Sequence, residues 1–506
     1  MHDLTLMRPS VCEMMKTRYP SIFFLLLGMS LSPLTSIGQN LKPMKVIPTP
    51  AQVAYQRMET IGFIHFSINT FTGKEWGYGD ESPMLFNPTA LDAEQWVLAA
   101  KAGGLNELIL TAKHHDGFCL WPSKYTKYSV KSSPYKKGKG DVLREFVDAC
   151  HKHGVKVGLY LSPWDRNHAD YGTPEYIEYY FNQLRELLTQ YGTINEMWFD
   201  GANGGDGYYG GANETRVIDR ETYYPWDSIF NLVKTLQPGI QIFSDAGPDI
   251  RWVGNENGWA GETFWSTIDT SRLVIGDSDS KYLNSGDPKG NAWLIGQCDV
   301  SIRPGWFYHP EQDTLVKSAT DLVDLYYKSV GRNAMLLLNL PPDNRGLIPE
   351  RDVASLKSFR QIMDVTFAKN LALQEIASIP GGRDDYRFTT KEVTDGNPDT
   401  YWAPFAGTFK ADIVVHFPQE VMFDRIMLRE PISLGQRVSQ FVVYALREQD
   451  QWEEIASGTT IGDKRLLQIP RTTTSRLKVV FSADKVEPAI SEVGVFLADP
   501  HERPKQ

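Results

Sequence analysis

The chain has 506 residues, 42% of them hydrophobic, enough to bury a large core in two or more domains. A formal net charge of −10 leaves no basic surplus to neutralise phosphates, and no polybasic patch marks a membrane surface, which argues against nucleic-acid and anionic-lipid partners. Aromatic residues make up 12% of the chain, with 13 tryptophans, a content that suits stacking against sugar faces as well as core filling.

At the N-terminus, Lys16 and Arg18 precede an apolar run over residues 22–29, followed by small and polar residues as far as Gly38 and Gln39. This is the layout of a secretory signal over residues 1–39, and it predicts export to the periplasm or the extracellular space. Met14 or Met15 is an alternative start, because the opening residues do not resemble a basic n-region. The apolar run is too short to span a bilayer, and no cysteine follows it to carry a lipid. Beyond it, Cys119, Cys150 and Cys298 form an odd, sparse set without metal-ligand spacing, read as buried thiols.

From residue 55 to 345, short apolar runs alternate with amphipathic stretches. The runs cover 62–66, 107–112, 155–162, 196–200, 240–244, 292–297 and 334–340, and helical periodicity covers 93–102, 141–153, 174–191, 226–236 and 313–330. Gly103-Gly104, Gly154 and Gly192 sit just past three of these helices, where a left-handed cap is wanted. Such alternation predicts βα units in one parallel sheet, an α/β (β/α)₈ TIM-like barrel over residues 40–369. The sixth strand is expected within 263–274, and a helix over 352–367 closes the barrel. After residue 370 the pattern turns to short alternating strands at 411–417, 423–429, 440–446, 466–469, 476–481 and 490–496, an all-β sandwich over 370–506.

The run 194–200 ends in Asp200 and is followed by Gly201, at the point where barrel strands carry chemistry. A strand-end Asp-Gly also serves simply as a turn. Its neighbourhood favours the chemical role: other strand ends offer His65, Glu75-Trp76, His114-His115-Asp116, Tyr160, Trp164, Trp198 and Asp245. A metal site built from His65, His114, His115 and Asp200 is one reading, although adjacent histidines on a strand point to opposite faces. A carboxylate pair for glycosidic hydrolysis is the other, with Glu256, Asp245, Asp249 and Glu262 as partners that spacing alone does not separate.

The runs Phe63-Ile64-His65-Phe66-Ser67, Glu75-Trp76, Ala112-Lys113-His114-His115-Asp116-Gly117-Phe118 and Trp198-Phe199-Asp200-Gly201 together resemble the α-L-fucosidases of glycoside hydrolase family 29. The resemblance implies a retaining exo-α-L-fucosidase that needs no catalytic cofactor, with Asp200 as nucleophile. It implies sugar contacts from His65, Glu75, Trp76, His114, His115, Tyr160 and Trp198. The Trp252-x-Gly254-Asn255-Glu256 pattern and the run Ile302-Arg303-Pro304-Gly305-Trp306-Phe307-Tyr308-His309 resemble the branch acting on α-1,3/4-linked, Lewis-type fucose. On that footing Glu256 is the acid/base, and Trp306 is either an apolar wall beside the sugar or core packing. Residues 394–402 resemble the loop of discoidin-like, galactose-binding-type domains, some of which hold a structural calcium; here that implies Asp395, Asp399 and Thr400, with a purely structural module as the alternative. The expected partner is a fucosylated oligosaccharide or glycoconjugate. Alternatives are α-1,2 or α-1,6 linkage preference, and a glycan-binding protein that has lost catalysis.

Overall fold

A computed structural model describes residues 41–380 and 389–502, so the predicted signal segment lies outside the described residues. Eight strands close into a barrel: β1 Thr60–Ile64, β2 Glu107–Lys113, β3 Lys156–Leu161, β4 Glu196–Trp198, β5 Gln241–Ser244, β6 Ile250–Trp252, β7 Ile295–Ser301 and β8 Met335–Asn339. All neighbours are parallel, and β8 returns to β1 with Thr60 opposite Leu336. The strands are apolar almost throughout because helices cover the outside and side chains fill the inside. Helices at Ala93–Ala102, Val142–His153, Pro174–Gln190, Trp226–Leu236 and Glu350–Thr366 lie where periodicity predicts them. The helix expected over 313–330 starts later, at Ala319, because Ser318 and Asp321 form a capping box there. Cys119, Cys150 and Cys298 are free and buried. Among the described residues no helix is long and apolar enough to cross a membrane.

The sixth strand is not in 263–274. It is Ile250–Trp252, joined to β5 by residues 245–249 alone, with no helix between them. A parallel pair ordinarily needs a crossover of a dozen residues or more. Side chains hold this short return: Ser244 Oγ donates to Gly247 O at 2.5 Å, and Asp249 Oδ2 accepts from Ile242 N at 2.9 Å and Lys234 Nζ at 2.5 Å. The segment expected to be the strand instead pairs Thr267–Ile268 antiparallel with Ala292–Trp293, outside the barrel. Everything from 253 to 294 is thus an excursion from the end of β6, and it carries Glu256.

The second domain is an antiparallel sheet of β9 Ile376–Ser378, β10 Lys410–Arg429, β11 Val438–Leu446, β12 Trp452–Gly458, β13 Arg465–Ala483 and β14 Glu492–Phe496, ordered β9-β10-β13-β11-β12 with β14 also on β10. The predicted pairs 411–417/423–429 and 466–469/476–481 are halves of the two long strands β10 and β13. The β10 register shifts between His416 and Val421, around Pro418, which has no N–H for the ladder. Both halves of β10 contribute to one core, through Ile413 and Val415 on one side and Phe423, Ile426 and Leu428 on the other.

Candidate active site

The barrel mouth holds a cavity lined by Phe63, His65, Glu75, Trp76, His114, His115, Tyr160, Trp198, Asp200, Ala202, Glu256, Asp299 and Trp306. Every residue to which the family resemblance gives a catalytic or sugar-contact role lines this cavity.

Asp200 lies two residues past β4, where the chain turns sharply. Gly201 is needed there, since a Cβ would stand 1.9 Å from Asp245 Oδ2. Asp200 Oδ1 accepts from Ala202 N at 2.7 Å and Oδ2 from the Tyr160 hydroxyl at 3.1 Å. Burial raises its pKa, and these two donors pull it back toward the ionised form. Tyr160 stacks on Trp198, which stacks on Phe243 at 4.1 Å and 6°. The Trp198 indole donates to Gln297 Oε1 at 2.8 Å, and Gln297 in turn donates to Tyr55 and Glu196 inside the barrel.

The histidines are neutral. Burial pushes His65 and His115 down to about 3 and His114 well below its ordinary value. Their tautomers follow from their partners. Asn339 Nδ2 donates to Trp306 O at 2.8 Å, so its Oδ1 is the acceptor for His65 N and Nδ1, leaving His65 Nε2 with a free lone pair. Ser162 Oγ gives its proton to Trp164 O at 2.6 Å and therefore accepts from His115 Nδ1 at 2.7 Å. His115 Nε2 then stands 3.7 Å from Asp200 Oδ2 as a second acceptor, not as an ion-pair partner. His114 stacks on Tyr160, and among the described residues its buried Nδ1 has no hydrogen-bond partner.

Glu256 stands solvent-facing on the rim. The walls around it and the charges of Asp200 and Glu75 raise its pKa, while the Trp306 indole N–H, 3.1 Å from Oε2, lowers it. Its competitors are elsewhere. Asp249 is tied to Lys234, Glu262 pairs with Arg332 on the outside, and Asp245 sits behind Gly201 in an adjoining cavity with Arg220. The sequence reading missed Asp299, a buried carboxyl of β7 that accepts from Trp252 Nε1 at 2.9 Å and lines both cavities. Burial and then the Glu256 charge push its pKa well above the carboxylate range.

Among the described residues, no group of three or more His, Cys, Asp or Glu gathers as a metal-binding set. In the predicted calcium loop, Asp399 is forked by Arg57 at 2.8 and 3.2 Å, while Asp395 accepts from Thr400 Oγ1 at 2.6 Å and Asn397 N at 2.8 Å. The Asp395 and Thr400 oxygens cluster with Asn397 O, which lies 3.0 Å from Thr400 Oγ1, whereas Asp399 is turned to Arg57 and does not join them.

Carboxyl groups facing one aromatic-walled cavity at the strand ends of a TIM barrel define a glycoside hydrolase. The α-L-fucosidase family model matches residues 51–366 and the F5/8 type C domain model matches 377–492, so the chain belongs to the α-L-fucosidases and carries a discoidin-like second domain. It is 43% identical over 492 residues to alpha-L-fucosidase 1 of Arabidopsis thaliana, covering 96% of this chain and 94% of that one. Among solved structures, a glycoside hydrolase 29 family member from an unknown rumen bacterium is 43% identical, with a TM-score of 0.80, over 90% of this chain and 78% of that one. A Ruminococcus gnavus GH29 fucosidase in complex with fucose is 33% identical, with a TM-score of 0.83, over 92% and 97% of the two chains.

Proposed function

We propose that this α-L-fucosidase is an exported, retaining exo-enzyme in which Asp200 is the nucleophile and Glu256 the acid/base. The observation that carries the reading is the shared cavity: Asp200 is fixed by Tyr160 and Ala202, and of the four partners weighed from the sequence Glu256 lines both cavities that Asp200 faces, whereas Asp245 lines only the adjoining one, away from the histidines. A terminal L-fucose would take hydroxyl contacts from His65, His114, His115 and Glu75, with Trp198 and Trp306 against its apolar face. One Asp200 carboxylate oxygen attacks the anomeric carbon as the bond to the leaving oxygen breaks, and Glu256 gives that oxygen its proton. Once Asp200 is esterified its negative charge is gone, so one of the causes raising Glu256 disappears. Glu256 then becomes acidic enough to serve as the base that takes a proton from water, and the ester is hydrolysed. The neutral histidines suit this role, since none adds a cation that would hold Glu256 ionised in the first step.

Asp200→Asn is expected to abolish turnover, and Glu256→Ala to regain activity with azide on an activated aryl fucoside. Early product anomers followed by NMR should be those of retention; the inverted anomer would overturn the mechanism. The run around Trp306 and the pattern ending in Glu256 support α-1,3/4-linked substrates. Faster release of fucose from an α-1,2-linked trisaccharide than from Lewis-type trisaccharides would remove that preference, and bound but unreleased sugar would favour a binding protein. A mature N-terminus near residue 40, found by mass spectrometry of the exported protein, tests export.

A further inference from the structure

Residues 302–309 form a strap that runs from the end of β7 past both Glu75 and Glu256. Its root is Arg303, buried, with Nε and Nη2 each 2.8 Å from the Asp352 carboxylate and Nη1 2.8 Å from Asp313. Its middle is gripped by Glu75. Oε2 accepts from Trp306 N at 2.9 Å and Phe307 N at 3.4 Å, and Oε1 lies 2.7 Å from His309 Nε2. The fit is close, because a Cβ on Gly305 would stand 2.4 Å from Glu75 Oε1. On the other side Trp306 O accepts from Asn339 Nδ2 at 2.8 Å. With the backbone held on both sides, the half-buried indole is fixed against His65 and its N–H reaches Glu256 Oε2 at 3.1 Å.

Glu256 needs such a hold. It is exposed, on a segment bracketed by Gly254 and Gly258 with φ of +80° and +79°. Among the described residues the Trp306 indole is the only hydrogen-bond donor to its carboxylate. We propose that Trp306 is a positioning residue for the acid/base, and that Glu75, besides facing the sugar, clamps the strap that delivers the indole. The sequence offered Trp306 only as a wall or as core. The proposal rests on the acid/base reading of Glu256.

The test uses the full chain with Trp306→Phe, which keeps a ring and removes the N–H. A second variant, Gly305→Ala, keeps the indole but presses the strap away from Glu75. Substrates are a fucosylated trisaccharide, whose departing oxygen needs a proton, and a nitrophenyl fucoside, whose leaving group does not. Both variants should lose about tenfold to a hundredfold more in kcat/KM on the trisaccharide than on the aryl fucoside, the range expected for a hydrogen bond to a charged group, while any loss of sugar contact falls on both substrates alike. In Trp306→Phe the carboxylate loses its donor while Asp200, Asp299 and Glu75 still face it. Glu256 therefore holds its proton to higher pH, and the alkaline limb of the trisaccharide profile moves upward. Equal losses on both substrates with an unmoved alkaline limb would reduce Trp306 to a wall and overturn the proposal. Glu256→Ala measured alongside separates the two levels. If it shows leaving-group dependence and the strap variants do not, the proposal alone falls; if it shows none, the acid/base reading falls and takes the proposal with it.

Discussion

At the scale of single residues, Asp200 is a carboxylate whose reactivity is set by two donors working against burial. Tyr160 is the adjustable one, because the Ala202 contact belongs to the backbone turn. Tyr160→Phe keeps the stacking on Trp198 and His114 but removes a hydrogen bond to the charged form, which raises the Asp200 pKa further. Asp200, the proposed nucleophile, is then ionised only at higher pH, so the acid limb of kcat/KM is expected to move upward while the alkaline limb stays. The rate at the plateau should fall by about tenfold or more. An unchanged acid limb would show that another group sets it. Asp200 was legible in the sequence because an apolar run ending in Asp-Gly marks a buried strand and its exit. Asp299 was not, because the run read as 292–297 stops short of the end of the strand, which extends from Ile295 to Ser301. Gln297 and Asp299 alternate within β7 and bond the indoles of Trp198 and Trp252. Polar residues two apart in an apolar run were the signal that they share the barrel's inner face.

At the scale of elements, the strand that the sequence misplaced is the one that leads to Glu256, the proposed acid/base. β6 is only three residues long, follows β5 without a helix, and has an arginine at its centre, so neither apolar length nor βα alternation announces it. Arg251 nevertheless is fully buried and holds the strand to its own excursion: its guanidinium donates to Leu283 O, Ser266 O, Leu294 O and Trp265 O at 2.8 to 3.3 Å and lies over the Phe264 ring. With carbonyls as its hydrogen-bond partners and burial drawing its pKa down to about 9, it acts as a staple whose charge the site can bear. Arg251→Met would leave those buried acceptors unpaired at a cost of about 3 kcal/mol or more. The urea midpoint should drop accordingly. Trisaccharide activity should fall further than aryl-fucoside activity, since Glu256 leaves the barrel from this strand. A midpoint within error of the parent would mean the excursion is held by something else.

At the scale of the whole molecule, the sheet domain is a buttress for that same excursion. Gln436, just before β11, donates to Phe264 O at 2.8 Å and accepts from Ser266 N at 3.0 Å, and Thr460 Oγ1 accepts from Phe264 N at 2.9 Å. The backbone of 264–266 is thereby paired from the sheet domain on one side and reached by Arg251 on the other, so support passes from the sheet domain through 264–266 and β6 to Glu256. The calcium-type loop joins the same effort, with Asp399 gripping Arg57 beside β1. Exposed ion pairs of that kind contribute little, whereas Gln436 is buried and its partners have no water to turn to. Gln436→Ala should therefore cost about 2 kcal/mol or more for the orphaned backbone groups. If the barrel and the sheet domain depend on each other in this way, calorimetry of the parent should show one cooperative transition, and the variant should unfold at lower temperature while remaining a single transition. Its trisaccharide activity should fall with little loss on the nitrophenyl fucoside, the same selectivity expected of the strap variants reached from the opposite side of Glu256. Two resolved transitions in the parent, or a Gln436→Ala protein as stable and as active as the parent on both substrates, would mean the sheet domain is only appended to the barrel.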